Sequence, residues 1–439
     1  MSNRKNGALK FLFGRFNRLF ALAFFQKKKK ELKQTLQSLT QTQVYKRQLI
    51  MKFIENPSKK DWKKILERPT KSVADIEETV NQVFLDVQKN GNIAIDKYTS
   101  KFDGVSLENT IVSEEEINEA ISLISADLKA AIALAKENIT KFHQAQKTEK
   151  VFVETANGVE CWQEKRPIQK VGLYIPGGTA PLFSTVLMLA IPAQIAGCKE
   201  IVLCSPPNKE GKINPAILYA ANLCGVTKII KVGGIQAIAG MTFGTETIPQ
   251  VYKIFGPGNQ FVTVAKQLST KFGVAIDMPA GPSELLVVAD DSANASYVAS
   301  DLLSQAEHGA DSQVILVSDS VAFIESVTSE IQKQLKELTR NEIAEKALAN
   351  SKAILIEDVD EAFDLINNYG PEHLIISTKN DDFFVDNIEN AGSVFIGKYT
   401  PESAGDYASG TNHTLPTNGF SKSYSGVNLD SFTKSITFQ

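Results

Sequence analysis

The chain has 439 residues, 43% of them hydrophobic and 22% charged, with a formal net charge of −3. This composition is typical of a globular protein with two or three domains. Residues 51–439 hold 35 bases against 49 acids, and this acidic body argues against binding to nucleic acid. The four cysteines show no CxxC spacing, which argues against a zinc finger and is typical of reduced thiols in the cytoplasm.

Residues 1–50 differ in composition from the rest of the chain. They contain twelve lysines and arginines but a single acid, Glu31. Their longest uncharged apolar run is too short to span a bilayer, so we predict no membrane insertion. The block is an organelle-targeting segment, a membrane-surface helix or the result of an over-extended start. We favour the over-extended start, because no A-x-A-like cleavage site follows, and expect 1–50 to be an extension outside the fold.

Residues 51–150 are predicted to form a helical segment that packs on the core. Ser113-Glu114-Glu115-Glu116 is a capping box, and apolar residues recur after it at helical spacing. His143 falls on the last helix of this segment, where we expect it to lie at the surface.

Short apolar strands alternate with helices in the rest of the chain. The first series predicts strands at 170–175, 201–204, 229–232 and 251–255, and a helix at 181–196. The second predicts strands at 285–288, 314–317, 354–356, 374–376 and 394–396, and helices at 293–307, 321–336 and 359–368. Such alternation indicates parallel sheets covered on both faces. We therefore predict an α/β fold with a first domain at 151–273, on the side that would bind a dinucleotide, and a second at 274–400. Residues 401–439 would be the start of a truncated C-terminal region.

Three of the four histidines lie in polar clusters bounded by glycine. Gln305 and His308 are three residues apart at the end of a predicted helix, so both side chains can reach one ion. Zinc binds histidine readily, but glutamine is an unusual ligand, and such a pair alone is more often a polar helix end.

Glu372 and His373 lie where a Gly-Pro turn enters a predicted strand. This position suits a general base next to a carboxylate that activates water, although a solvated loop end has the same pattern. Asp406 lies in a polar loop and either supplies an anionic third ligand or caps a turn. His413 follows in the same loop without an assigned role.

Glycine-rich turns follow several predicted strands, at 176–178, 233–234, 256–259 and 280–283. Glycine after a strand lets backbone N–H groups approach a phosphate, so the turns are compatible with a dinucleotide. None of them has the G-x-G-x-x-G spacing, and the turns alone do not identify a cofactor. A zinc hydrolase is the competing class, but the chain lacks HExxH.

Six segments closely resemble the motifs of the histidinol dehydrogenase family. They are Gly172–Gly178, Phe255–Asn259, Asp277–Glu284, Ala299–Gly309, Gly370–Leu374 and Ser403–His413. The resemblance extends from about Met51 to the last residue. It implies two incomplete Rossmann-like domains in a cytoplasmic, intertwined homodimer. It also implies oxidation of L-histidinol to L-histidine through L-histidinaldehyde, with Zn²⁺ and NAD as cofactors and two hydride transfers.

The resemblance also implies a role for each matching residue. The zinc ligands would be Gln305, His308 and Asp406. His373 would be the general base, and Glu372 would activate water for the second oxidation. The NAD contacts would be Tyr174, Gln236 and Asn259. The substrate contacts would be Ser283, Gln305, His308, His373 and Asp406.

One part of the family pattern, the C-terminal tail, has no counterpart in this sequence. In the family, a further zinc-binding histidine and a substrate-binding glutamate lie in a C-terminal tail beyond the last matching segment. The present sequence ends at Gln439, so we expect a chain without that tail. The alternative function is therefore a catalytically impaired fragment or relative that keeps the fold.

Overall fold

The computed structural model describes residues 50–69, 73–177 and 181–439. The predicted basic extension thus lies outside the described residues, apart from its last position. Within the described ranges, no helix combines the length and the apolar character needed to cross a membrane.

Three sheets contain all the strands named below. In chain order the strands are β1 (Lys52–Glu55), β2 (Val151–Ala156), β3 (Val159–Pro167), β4 (Lys170–Tyr174), β5 (Glu200–Cys204), β6 (Lys228–Ile230), β7 (Lys253–Phe255), β8 (Ala275–Ile276), β9 (Glu284–Ala289), β10 (Gln313–Ser318), β11 (Lys352–Leu355), β12 (His373–Ser377), β13 (Ser393–Ile396) and β14 (Thr433–Phe438). The smaller parallel sheet has the order β6-β5-β4-β7-β8, and the larger has β1-β11-β10-β9-β12-β13. An antiparallel sheet, β14-β3-β2, lies beside them.

The helices of the described residues cover both parallel sheets. They span Trp62–Ile65, Val73–Asn90, Asn92–Phe102, Glu114–Leu123, Ala126–Gln144, Phe183–Ala196, Pro215–Leu223, Gly234–Phe243, Gln260–Ser269, Ala295–Ala306, Val321–Gln334, Asn341–Ala349, Val359–Tyr369, Asp381–Asn387 and Glu402–Tyr407. Single 3₁₀ turns occur at Lys59–Asp61, Thr270–Phe272, Leu335–Glu337, Phe420–Lys422 and Leu429–Phe432. The predicted α/β class with parallel sheets is confirmed.

Strand β9 shows why the apolar runs form buried parallel strands. All six of its residues are buried. Leu285 and Val287 pack into the hydrophobic cluster on one face of the larger sheet, and Leu286 and Val288 pack into the cluster on the other. Because successive side chains point to opposite faces, a strand covered on both sides must be apolar at every position. Each such side chain stabilises the fold by about 1.5–3 kcal/mol.

Two short strands belong to sheets that the sequence analysis predicted in other segments of the chain. Strand β1, in the predicted helical segment 51–150, pairs in parallel with β11, with Phe53 opposite Ala353. Its four residues are too few to show a period. Strand β8 pairs with β7, so the smaller sheet continues past residue 273.

His143 is fully buried, so its predicted surface position is wrong. Its helix, Ala126–Gln144, packs against the apolar helix Phe183–Ala196, and Nδ1 bonds to the carbonyl oxygen of Ile139 at 2.9 Å. Burial lowers the pKa of this imidazole, which opposes its protonation.

Candidate active site

The candidate site lies where two opposite sheet edges meet. The smaller sheet contributes the segment that follows the end of β7, and the larger sheet contributes the starts of β9 and β12. A cavity of about 260 Å³ lies between them. Its walls include Asn259 from the first side and Ser283, His308, Glu372 and His413 from the second. Residues from distant parts of the chain therefore share one enclosed space.

His373, the first residue of β12, is held by the main chain of Glu284. The Nδ1–H group of His373 donates to the carbonyl oxygen of Glu284 at 3.2 Å, and the N–H group of Glu284 donates to Glu372 Oε2 at 2.8 Å. A carbonyl oxygen only accepts, so this bond places the imidazole proton on Nδ1. The other nitrogen, Nε2, is buried, has no hydrogen-bond partner among the described residues, and lies 3.8 Å from Asp406 Oδ1.

Burial determines the protonation of this histidine and its neighbouring carboxylates. Desolvation first, then the neighbouring His308 and His413, lower the pKa of His373 to about 3 against the bond to Glu284, so the imidazole is neutral near pH 7. Desolvation raises the pKa of Asp406 to about 7. The pKa of Glu372 is raised well above its usual range, first by burial and then by nearby carboxylates.

Glu402 adds a carboxylate that the sequence analysis did not identify. It is fully buried, with Oε1 4.0 Å from His373 Nδ1, and desolvation followed by Asp406 and Glu372 raises its pKa well above the usual range. His373, Glu402 and Asp406 offer ligand atoms that all lie within 4.8 Å of one another. This group shares only Asp406 with the predicted ligands. The sequence did contain a signal that could have identified Glu402: it lies four residues before Asp406, a spacing that places both side chains on one face of a helix.

The other two predicted ligands lie at the end of the helix Ala295–Ala306. Gln305 is in its last turn, and His308 follows two residues after its end. Gln305 is fully buried, and the amide orientation that satisfies its neighbours has the nitrogen donating to both carboxylate oxygens of Glu402 and the oxygen accepting from the Glu284 N–H at 3.1 Å. His308 lies in the cavity wall and has solvent-exposed surface. The protein that surrounds the rest of the ring desolvates it, and this desolvation, followed by the charge of Arg340, lowers the pKa of the imidazole. The structure thus brings Gln305 into the carboxylate group and His308 to the adjoining wall.

His413, for which the sequence analysis gave no role, contacts the main chain of Asp406. Its Nδ1–H donates to the carbonyl oxygen of Asp406 at 3.1 Å, and its Nε2 accepts from Thr185 Oγ1 at 2.9 Å. Desolvation lowers the pKa of His413 to about 4. The neutral ring therefore supports the main chain that carries Asp406.

A second cavity, of about 880 Å³, lies at the carboxyl edge of the smaller sheet. Tyr174, Gly234 and Asn259 line it, and Asn259 lines the smaller cavity as well. The Tyr174 hydroxyl accepts from the Gly234 N–H at 3.1 Å, and burial raises the pKa of Tyr174 to about 12. Gln236 lies buried and donates to Asp103 Oδ2 at 3.1 Å, while its own Oε1 has no partner among the described residues.

The turn between the two cavities is held from both sides. Gly256 has a φ of +119°, and a Cβ there would collide with the Tyr174 carbonyl oxygen, so only glycine fits. Its N–H donates to Asp277 Oδ2 at 2.8 Å, and its carbonyl oxygen accepts from Lys266 Nζ at 2.7 Å. Lys266 and Asp277 form a buried ion pair at 2.5 Å. These contacts fix the turn that carries Asn259.

The two parallel sheets, the large cavity at the carboxyl edge of one and the buried imidazole and carboxylates beside it define an α/β enzyme. A family model described as histidinol dehydrogenase matches residues 66–439. The histidinol dehydrogenase of Bacteroides thetaiotaomicron is 58% identical over 390 residues, which cover 89% of this chain and 91% of that protein. The one from Vibrio vulnificus is 54% identical over 378 residues, covering 85% and 87%.

A crystal structure of histidinol dehydrogenase from Elizabethkingia anophelis has a TM-score of 0.86 to this structure and 54% sequence identity, covering 89% of this chain and 90% of that one. The chain belongs to the histidinol dehydrogenase family, and the resemblance seen in the sequence is confirmed. It is accordingly an oxidoreductase of histidine biosynthesis.

Proposed function

We propose that this protein oxidises L-histidinol to L-histidine through L-histidinaldehyde, with NAD as the hydride acceptor and Zn²⁺ as the substrate-holding metal. The observation that carries this proposal is His373, whose Nδ1 is bonded to a carbonyl oxygen and whose Nε2 is left without a partner beside Asp406. A neutral imidazole with one free lone pair can accept a proton, and burial, which lowers its pKa to about 3, makes it a weak base in the absence of substrate. Membership of the histidinol dehydrogenase family supports L-histidinol as the substrate.

The donor set fits zinc. Zinc binds imidazole nitrogen and carboxylate oxygen, and such atoms of His373, Glu402 and Asp406 lie within 4.8 Å of one another. Of these three residues we assign only Asp406 as a ligand, with Gln305 and His308 as the resemblance implies. Glu402, which lies beside the Gln305 amide, would orient that ligand, and His373 would remain free as the base. When bound, the ion would fix the amino and imidazole nitrogens of the substrate and supply positive charge.

The larger cavity fits a dinucleotide. Its volume of about 880 Å³ is within the usual range for cofactor pockets, and it lies outside the carboxyl ends of parallel strands. We assign Tyr174, Gln236 and Asn259 as NAD contacts. The orphaned Oε1 of Gln236 supports its assignment, since a buried acceptor needs a donor. Asn259 lines both cavities, which would bring the nicotinamide next to the substrate.

Two proton acceptors would serve the two oxidations. His373 Nε2 takes the proton of the carbinol hydroxyl as a hydride leaves the carbinol carbon. Glu372 then takes a proton from the water that adds to the aldehyde, and a second hydride leaves the hydrated carbon. Burial, which raises the pKa of Glu372, makes its ionised form a stronger base. Ser283, in the cavity wall, would contact the substrate together with Gln305, His308, His373 and Asp406.

We also propose a homodimer located in the cytoplasm, as the resemblance implies. The four cysteines are free thiols in this structure, which suits a reducing compartment. We further propose that the smaller sheet and the larger sheet are the cores of two domains, close to the predicted 151–273 and 274–400.

The test is NADH formation from L-histidinol, followed by absorbance with and without added zinc. We expect two NADH per L-histidinol consumed, L-histidine as the product, and loss of activity on chelation. L-Alaninol, which has the amino alcohol without the imidazole, is the matched control. No NADH from zinc-supplemented protein would contradict the proposal, and one NADH per substrate would remove the second oxidation.

A further inference from the structure

We propose that Arg68 is a positioning residue that holds the two proton acceptors, Glu372 and His373, in register; this inference rests on the function proposed above. The guanidinium donates through Nε to Glu284 Oε1 at 2.5 Å and through Nη2 to Glu284 Oε2 at 2.9 Å. Nη2 also donates to the carbonyl oxygen of Tyr369 at 2.9 Å. One side chain therefore joins the start of β9 to the turn that enters β12.

Both ends of this bridge lead directly to the proposed catalytic residues. Glu284 uses its N–H for Glu372 Oε2 and its carbonyl oxygen for His373 Nδ1. At the other end, Glu372 and His373 follow two and three residues after Gly370, the C-cap of the helix Val359–Tyr369. The relative position of these two chain segments sets the direction of the free Nε2. Arg68 bonds to both segments.

The chemistry of the contact requires arginine. The guanidinium meets both oxygens of one carboxylate, bonds to a main-chain carbonyl and lies 4.0 Å from the ring centre of Tyr369. A lysine ammonium is a point charge and cannot reproduce a bidentate, stacked arrangement. The side chains of Arg68 and Glu284 are 14% and 2% exposed, so this pair is largely shielded from water.

Arg68 does not itself line either cavity. Its effect on the reaction must therefore pass through Glu284 and the turn at Gly370. The Glu284 carboxylate has one further partner, the Asn418 N–H at 2.7 Å, which does not bond to the segment before β12. Loss of the guanidinium would remove the side-chain link between Glu284 and the Tyr369 carbonyl oxygen, and the turn would keep only its main-chain bonds and the direct bonds of Glu372 and His373 to Glu284.

The experiment compares Arg68→Met with the double variant Arg68→Met/Glu284→Gln. The single variant leaves a buried carboxylate without its cation and is expected to lose stability. The double variant removes both charges, so its thermal midpoint should recover towards that of the wild type. In both variants we expect kcat with L-histidinol and NAD to fall about 10- to 100-fold, while KM for each stays within about threefold, because geometry is lost and binding groups are retained.

A second readout does not depend on turnover. The chain has only four histidines, so ¹⁵N–¹H spectra can report the His373 tautomer directly. We expect Nδ1–H in the wild type and a mixture of tautomers in the double variant. Lys231→Met is the matched control, because it breaks a half-buried ion pair with Glu116 at 2.9 Å on the smaller sheet. It should alter neither kcat nor the tautomer.

The outcomes separate the two proposals. A folded double variant with kcat within about twofold of the wild type, or with Nδ1–H retained, would overturn the role of Arg68. A wild-type protein that forms no NADH from L-histidinol would overturn the proposed function instead, and the tautomer would still test the positioning. Partial recovery of kcat in Arg68→Lys would support a role for the charge in the bridge.

Discussion

The imidazole of His373 is bonded through Nδ1 to the carbonyl oxygen of Glu284, a residue 89 positions earlier in the chain. This contact fixes the tautomer by main-chain chemistry, so it does not depend on the ionisation of any neighbouring acid. It also directs the free lone pair of Nε2 towards Asp406, 3.8 Å away. The position of the proposed base therefore follows from the pairing of β9 with β12.

Replacement of His373 by asparagine should lower kcat by about 10²- to 10⁴-fold, the usual contribution of a general base. Zinc content should be unchanged, because His373 is not among the proposed ligands. The measurements are steady-state NADH formation and metal analysis of the purified variant. His143→Gln is the control, since that imidazole bonds to Ile139 on its own helix and to Asn412 Nδ2 at 3.5 Å, neither of which is a proposed site residue. Wild-type turnover in His373→Asn would exclude His373 as the base.

Replacement of His308 by asparagine should remove metal and activity together. His308 lies at the cavity wall, and its neutral imidazole is available as a ligand because desolvation lowers its pKa. Loss of one of three protein ligands weakens zinc binding directly. Metal content after dialysis and NADH formation measured on the same sample check this. A variant with normal zinc content would disprove the ligand assignment.

Replacement of Glu402 by glutamine distinguishes the two possible ligand groups. If Gln305, His308 and Asp406 hold the metal, Glu402→Gln should keep zinc, because its amide oxygen can still accept from Gln305. Asp406→Asn, the matched variant four residues later, should lose it. Dialysis against a competing chelator compares the two affinities. Zinc loss in Glu402→Gln that equals the loss in Asp406→Asn would instead place Glu402 in the coordination sphere.

The larger elements were predictable because their signal is local. The run predicted at 314–317 lies inside β10, and all its residues are buried as an apolar run in a parallel sheet should be. Strand β1 was not predictable in the same way. Its four residues form a strand only because β11, 300 residues later, offers an open edge.

The site residues likewise divide into those with a local sequence signal and those that depend on long-range contacts. Gln305, His308, Glu372, His373 and Asp406 stand out because polar residues cluster beside glycine in an otherwise apolar series. The structure brings all five close to one cavity. Arg68 has no such signal: its partner Glu284 is 216 residues away, and an Arg-Pro pair in a loop carries no mark of that contact. Long-range contacts of this kind require the folded chain.

Replacement of Gly256 by alanine should destabilise the protein and raise KM for NAD. Its φ of +119° is strained for any side chain, and the added Cβ would collide with the Tyr174 carbonyl oxygen. We expect a loss of about 1–3 kcal/mol or more. Gly273→Ala is the control, because Gly273 also has a positive φ, +85°, but a Cβ there would have no atom within 4 Å. Equal thermal midpoints for the two variants would show that the collision is relieved without cost.

Replacement of Asp103 by asparagine should stabilise the protein at neutral pH and do so less in acid. Desolvation raises the pKa of Asp103 to about 6 from the usual 3.8, against the lowering effect of the bond from Gln236. Between these values the folded carboxyl binds a proton that the unfolded chain has released, so the fold loses stability as the pH rises through this window. Asparagine cannot ionise, and its carbonyl oxygen can still accept from Gln236.

The measurement is the difference in thermal midpoint between Asp103→Asn and the wild type from about pH 7.5 down to about pH 4.5. That difference should be positive at the upper end and should shrink as the wild-type carboxyl becomes protonated in the folded state. Asp386→Asn is the control, because Asp386 is an exposed acid on the helix Asp381–Asn387. A difference for Asp103→Asn that stays constant with pH would mean that the carboxyl ionises equally easily in the folded and unfolded chains. Asp103 is part of the wall of the larger cavity, and that wall would then not desolvate its carboxyl group.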